Sequence, residues 1–243
     1  MEKNQKILLA IIGVVVIIAI VIGFLAFNNQ KDNDNLKTNQ FKEEYEALNG
    51  VINDNGYTYP TVEIDVENPV IYSTEEEVLK ILKDGTGIIY FGFPTCPWCR
   101  NAVPSLLAAA DSTGLEKIYY LNIQNIRDSL SVNDSGEIVV EKEGTKNYKK
   151  ILKELDDILD TYYVEDSMKN KIDTNEKRLY APTVVAVFEG KVVDYHVDTV
   201  ESHISGGNGY AELTKEQKEE LFDIYSNMML KLLDSSCNDK SGC

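Results

Sequence analysis

The chain has 243 residues, with 40 acidic against 24 basic side chains and a formal net charge of −16. That length suits one domain with a proper core plus an insertion, and the acidic balance makes nucleic acid and anionic lipid headgroups poor partners. The acidity reads either as a solubility device or as an attraction for cationic secreted peptides.

Residues 7–27 run for 21 positions without a charge, roughly 31 Å as a helix, which is the thickness of a bilayer core. Lys3 and Lys6 precede the run and polar or acidic residues follow it. The positive-inside rule then predicts a single-pass chain, with residues 1–27 as cytoplasmic stub and transmembrane anchor in the cell membrane and the remainder extracellular. A cleaved signal peptide is the competing reading, opposed by the length of the run and by the lack of a small-x-small site after it. Residues 28–39 are polar without periodicity and read as a tether. A short helix over 40–48 stops at Asn49-Gly50, so that 28–60 is tether and short helix and the domain proper, 61–243, begins near Thr61.

Pro69 to Tyr72 predicts a first strand, and Thr74 to Asp84 a helix with Thr74 and Glu77 at capping-box spacing. Gly87 to Phe93 reads as a buried strand. Cys96-Pro97-Trp98-Cys99 follows it and opens a helix over Arg100 to Asp111 that should be kinked by Pro104. Two thiols two residues apart at a strand-to-helix junction form a reversible disulfide. Unpaired N–H groups and the positive helix end favour an anion on Cys96, the expected nucleophile. Cys99, one turn further in, is the expected resolving thiol. Arg100 either favours the Cys96 thiolate or lies on an exposed helix face, and Trp98 reads as an aromatic contact for substrates.

Glu116 to Ile123 predicts another strand, and the alternation of strands and helices favours a parallel α/β arrangement. An insertion spans about 124–180. It contains a turn at Asn133-Asp134-Ser135-Gly136, a short strand over Glu137 to Glu141, and a long helix over Thr145 to Tyr163 with Tyr148, Ile151, Leu152, Leu155, Ile158, Leu159 and Tyr162 on one buried face. Ala181-Pro182-Thr183 opens an apolar strand to Phe188, and Lys191 to Val197 completes a hairpin across Glu189-Gly190. Ser205 to Gly209 reads as a mobile loop, and Thr214 to Asp234 as a closing helix with Thr214 and Gln217 at its start. His196 and His203 are the only histidines, too few and too polar in setting for a metal site or a Cys-His pair; no metal and no cofactor is expected. Cys237 and Cys243 lie in a polar tail, where they form a local staple or a mobile second dithiol that relays electrons. A four-cysteine zinc site is a further reading, opposed because structural zinc ligands come from paired short knuckles and neither a strand-helix junction nor a free tail is one.

Tyr90-Phe91-Gly92-Phe93-Pro94-Thr95-Cys96-Pro97-Trp98-Cys99-Arg100, the in-helix Pro104 and Ala181-Pro182-Thr183 resemble the thioredoxin superfamily. With Tyr45-Glu46-Ala47-Leu48-Asn49-Gly50, the stretch from Phe41 to Pro104 is similar to the bacteriocin-transport accessory branch from Gram-positive bacteria. The resemblance implies a thioredoxin-like fold with a helical insertion. It also implies a cis-proline loop at Pro182 packed against the cysteines, with Ala181, Thr95 and Trp98 beside the substrate. The activity it implies is thiol-disulfide exchange on cysteine-containing secreted peptides or proteins, with an unidentified redox partner. Pro97-Trp98 is closer to the Pro-Tyr of glutaredoxins than to the Gly-Pro of thioredoxins, and Tyr90 stands where thioredoxins carry a buried acid. A non-catalytic binding or scaffold module with a structural disulfide is the alternative.

Overall fold

The computed structural model describes residues 39–239, with side chains to 235, and the isolated positions Val16 and Ile20. The anchor expected over 7–27 otherwise lies outside the described residues, as do most of the tether, the Cys237 side chain and Cys243. Among the described residues no helix is long and apolar enough to cross a membrane.

The architecture is mixed α/β. Helix α1 covers residues 39–46. Then come β1 (Val70–Tyr72), α2 (Glu75–Asp84), β2 (Gly87–Gly92), α3 (Pro97–Thr113) and β3 (Ile118–Asn122). The insertion carries β4 (Ser129–Val132), β5 (Ile138–Lys142), α4 (Lys146–Glu154), β6 (Asp160–Glu165) and β7 (Lys171–Arg178). The chain closes with β8 (Thr183–Phe188), β9 (Lys191–Val197), α5 (Glu201–Ile204) and α6 (Lys215–Asp239).

A five-stranded sheet runs in the order β1-β3-β2-β8-β9. The first three strands are parallel, and β8 and β9 add antiparallel. The central strands read as continuous apolar runs, Ile88 to Phe91 and Val184 to Val187, because both faces are buried. Helix α3 packs on α6 and α2 on α4. The Thr74 capping box forms in full at the start of α2, and Thr214 and Gln217 exchange the same pair of bonds ahead of α6.

Three expectations need correction. The helix predicted over Thr145 to Tyr163 stops at Glu154; a single 3₁₀ turn, Asp156–Ile158, leads into β6. Asp156 and Asp157 oppose the negative C-terminal end of a helix. Beyond them Tyr162 and Val164 are buried while Tyr163 is exposed, a period of two rather than 3.6. The polar tail predicted from Asp234 is helical through Asp239, since no Gly or Pro interrupts α6 before Gly242. Helix α1 is part of the domain rather than a prelude to it, because Phe41 and Tyr45, one turn apart, are fully buried in the same core as Val62 and Ile64.

Arg100 holds α1 in place. Its side chain is fully buried and donates to Tyr45 O at 2.7 Å, Pro60 O at 2.7 Å, Pro94 O at 3.4 Å and Asn49 Oδ1 at 2.6 Å. The guanidinium also lies 5.7 Å from the Tyr59 ring centroid. Asn49 passes the link onward, pairing its amide with the Val62 backbone in both directions. Replacing Arg100 with Met keeps the stem but strips the donors, at about 1–3 kcal/mol for each buried acceptor left unsatisfied. Urea denaturation of Arg100→Met is therefore expected to show a stability loss of at least about 3 kcal/mol, and an unchanged midpoint would contradict this role.

Candidate functional site

Strand β2 ends at Gly92, and a turn closed by Cys96 N donating to Phe93 O at 3.1 Å delivers the chain into α3. Cys96 is the N-cap of α3 and Pro97 its first residue, where the ring costs no hydrogen bond. The Cys96 sulfur accepts the Cys99 N–H at 3.2 Å, so it sits where unpaired backbone donors and the helix dipole converge. Both thiols are free. Cys99 has no exposed surface and Cys96 has 5%.

The loop before β8 faces this helix end. The Ala181–Pro182 peptide is cis, and Cys96 Sγ donates to Ala181 O at 3.4 Å. Pro182 O is taken by Asp198 N at 2.7 Å and Tyr180 O by the Thr183 hydroxyl at 2.8 Å. The structure thus brings together Cys96, Cys99, Ala181 and Pro182, residues 85 apart in sequence at the Cys96 to Ala181 contact. Thr95 is half-buried in the turn ahead of Cys96.

Trp98 is half-buried, and its surroundings differ from the sequence reading. The loop from Ser205 to Gly209, expected to be mobile, is pinned: a Cβ on Gly209 would stand 2.6 Å from the indole, which requires glycine there. Asn101, buried on α3, donates to Gly209 O at 2.8 Å and Ala211 O at 2.9 Å and accepts from Leu213 N at 3.2 Å. His203 belongs to the same surroundings. It is buried, its ring lies 4.8 Å from that of Trp98, and both nitrogens are engaged, one by Thr199 Oγ1 at 2.9 Å and one by Ala211 O at 3.0 Å. Since a carbonyl only accepts, Nε2 carries the proton in this arrangement. Tyr210 stacks on Tyr57 at 4.8 Å and accepts from Asn53 Nδ2 at 2.7 Å, joining this loop to residues 51–59. Asn101 and Tyr210 escaped the sequence reading, and His203 was named there only as a poor metal or Cys-His candidate; the alternating Tyr57 and Tyr59 were the available signal.

Arg100 does not lie on an exposed face: it is buried, with its donors on four uncharged oxygens. Arg127 stacks 4.5 Å from the centroid of the Phe93 ring, in the turn ahead of Cys96. Burial pushes the Cys99 thiol well above its ordinary value, and neighbouring Cys96 adds to the rise. Behind Cys99 lie Tyr45 and Tyr90, both fully buried, with their hydroxyls 2.8 Å apart. Burial likewise holds both phenols well above the usual range.

Among the described residues no cluster of His, Cys, Asp and Glu is placed to hold a metal ion. A surface groove of about 1090 Å³ lies along the later turns of α3 and residues 63–69, and neither cysteine lines it. Protein-family models and curated proteins were compared with the chain, and none matches.

Two outcomes follow. Asn101→Ala should release the 209–213 segment, cost about 1–3 kcal/mol and shift Trp98 emission to longer wavelength as water reaches the indole; unshifted emission would show that the loop holds without Asn101. Cys99, Tyr45 and Tyr90 keep their protons more tightly in the folded chain than in the unfolded one. Their stabilising contribution is present in full below the unfolded thiol value, 9.0. As pH rises past it the unfolded chain binds fewer protons and stability falls, with the thiol contributing at most about 1.4 kcal/mol per pH unit. Denaturation of the reduced chain on either side of that value should show the decline, shallower in Cys99→Ala.

Proposed function

We propose that this chain is a thiol-disulfide oxidoreductase of thioredoxin-like architecture, anchored in the cell membrane through residues 7–27 and acting outside the cell on cysteines of secreted peptides or proteins. The observation that carries the reading is the Cys96 sulfur at the N-terminus of α3, with a backbone N–H donated to it and Ala181 O beside it, while Cys99 lies buried behind. Three parallel strands followed by an antiparallel pair, with Ala181–Pro182 facing the cysteines, support the architecture. The uncharged run and its flanking lysines support the anchor.

In the reducing direction the Cys96 thiolate attacks a substrate disulfide, forming a Cys96–substrate disulfide and expelling one substrate thiolate. Cys99 then loses its proton and attacks Cys96 Sγ. The second substrate sulfur leaves as a thiol and the Cys96–Cys99 disulfide remains. Run backwards, the same steps oxidise a substrate dithiol. Ala181 O and the loop around Pro182 offer backbone beside the reacting sulfur, and Trp98 and Thr95 border it. Which direction operates depends on the potential of the pair, where about 30 mV corresponds to about 1.4 kcal/mol.

One observation favours the scaffold reading: at 5% exposure Cys96 is covered as a structural thiol would be. Turnover on a scrambled or reduced test protein separates the two, because a staple gives no rate above buffer. Cys99→Ala is expected to accumulate covalent substrate adducts at Cys96, seen by non-reducing mass spectrometry. Adducts at Cys99 in Cys96→Ala, with none in Cys99→Ala, would reverse the two roles.

A further inference from the structure

Exposed apolar side chains are ordinary when scattered and informative when they cluster. Val51, Ile52 and Tyr57 are 40%, 64% and 51% exposed, and all three lie on one short hairpin. Tyr59 N donates to Val51 O at 3.0 Å, Asn53 N donates to Tyr57 O at 2.9 Å, and Ile52 pairs with Thr58 between them. The Asn53 carboxamide closes the turn, its Oδ1 accepting from Asn55 N and Tyr57 N, each at 3.0 Å. The hairpin is thus a built structure that holds apolar side chains in water.

Contacts tie this hairpin to the cysteines. Trp98, between them in sequence, packs so closely on Gly209 that a Cβ there would stand 2.6 Å from the indole. The next residue, Tyr210, stacks on Tyr57 with ring centroids 4.8 Å apart and 12° between the planes, and its hydroxyl accepts from Asn53 Nδ2 at 2.7 Å. Tyr59 lies 5.9 Å from the same Tyr210 ring. Adjacent residues of α3 anchor both sides: Arg100 sits 5.7 Å from the Tyr59 ring centroid, and Asn101 donates to Gly209 O at 2.8 Å. Tyr57 uses one ring face in its stack and still exposes half its side chain. Trp98, Tyr210, Tyr59 and Tyr57 therefore form a continuous aromatic ledge that starts between the two cysteines.

The chemistry of the ledge selects its occupant. Segments 51–59 and 205–213 carry one charged residue each, Asp54 and Glu212, in a chain where 26% of residues are charged. A charged segment finds no cluster of opposite charge there. Rings held in fixed positions favour aromatic and aliphatic side chains, because a preorganised platform loses little freedom on binding. We propose that Tyr57, backed by Tyr210 and Tyr59, forms a subsite selecting substrates with an aromatic or large aliphatic side chain within a few residues of the reacting cysteine. The proposal rests on the dithiol reading above: because the ledge begins at Trp98, a chain whose cysteine has reached Cys96 lies at its start.

The test uses the full chain in lipid nanodiscs, reduced and carrying Cys237→Ser and Cys243→Ser. The probes are three end-capped pentapeptides, Gly-Xaa-Cys-Xaa-Gly with phenylalanine, serine or lysine at Xaa, each joined through its cysteine to a coloured nitrothiolate. Cys96 attacks the peptide sulfur, a Cys96–peptide disulfide forms, and the electron pair of the broken bond leaves on the nitrothiolate. Cys99 then closes the Cys96–Cys99 disulfide, and its proton goes to the departing peptide thiolate. Dividing each rate by that of the same probe with glutathione removes the probe's own reactivity. The phenylalanine probe is expected to react about tenfold faster than the serine probe, a difference of about 1.4 kcal/mol and within the worth of one largely buried aromatic side chain. Tyr57→Ser should cut that preference to about two- to threefold, whereas Tyr57→Phe, which keeps the ring, should retain it. The parent's preference is decisive by itself should Tyr57→Ser misfold. Equal rates for the phenylalanine and serine probes in the parent, a preference for lysine, or a preference undiminished in Tyr57→Ser overturns the proposal and leaves the dithiol reading intact. So does a crosslinked dimer that Tyr57→Ser dissolves, which would give the ledge to a second copy of the chain. No nitrothiolate release from any probe in the parent overturns both.

Discussion

A guanidinium with no exposed surface, whose hydrogen-bond partners are all uncharged oxygens, organises one side of this molecule. Burying a cation in this way is costly unless its donors are satisfied. Arg100 meets that condition only if α1, the 49–60 segment and the turn before Cys96 are all in place together. Because it follows Cys99 directly in the first turn of α3, the residue that fixes the outer segments also fixes the helix end that carries the cysteines. The Phe41 and Tyr45 contacts with the core, and the reach of Tyr45 to Tyr90, are downstream of that one arrangement.

The elements whose signals are local were legible in the sequence. Thr74 and Glu77 cap α2 as their spacing demands, the apolar runs of β2 and β8 are the buried strands, and the cysteines open a helix at Cys96. The helix overrun beyond Glu154 came from an apolar spacing that fits two periods at once: Ile158, Leu159 and Tyr162 continue a helical stripe, while Tyr162 and Val164 alternate across β6. Strand β7, Lys171-Ile172-Asp173-Thr174-Asn175-Glu176-Lys177-Arg178, is almost wholly polar and gave no apolar pattern; only its pairing with β6 makes it a strand. Arg100 was placed wrongly because sequence shows its nearness to Cys99 along the chain but not the carbonyls folded over it from 40 and 55 residues away.

The site itself was half legible. The Cys96 and Cys99 pair follows from the motif and the nearness of Pro182 was what the resemblance implied, whereas the border of the site depends on two loops with no common sequence signal. Residues 51–59 and 205–213 meet through Tyr210, which stacks on Tyr57 and bonds Asn53. A glycine-rich stretch ordinarily reads as slack. Here Gly209 is a fit to the indole and Asn101 converts the stretch into a wall.

That wall has a mechanical consequence. One amide on α3 carries both the donors to Gly209 and Ala211 and the acceptor for Leu213, while His203 bonds the same Ala211 oxygen. The segment therefore has no partial opening in which one bond breaks and the rest remain: to swing away from Trp98 it must let go of Asn101 and His203 at once. Motion beside the cysteines is all or none on this side. On the proposed dithiol function, an incoming chain would meet a rigid jamb at Trp98, and whatever adjustment it needs would have to come from the chain itself or from the opposite side, around Ala181 and Pro182.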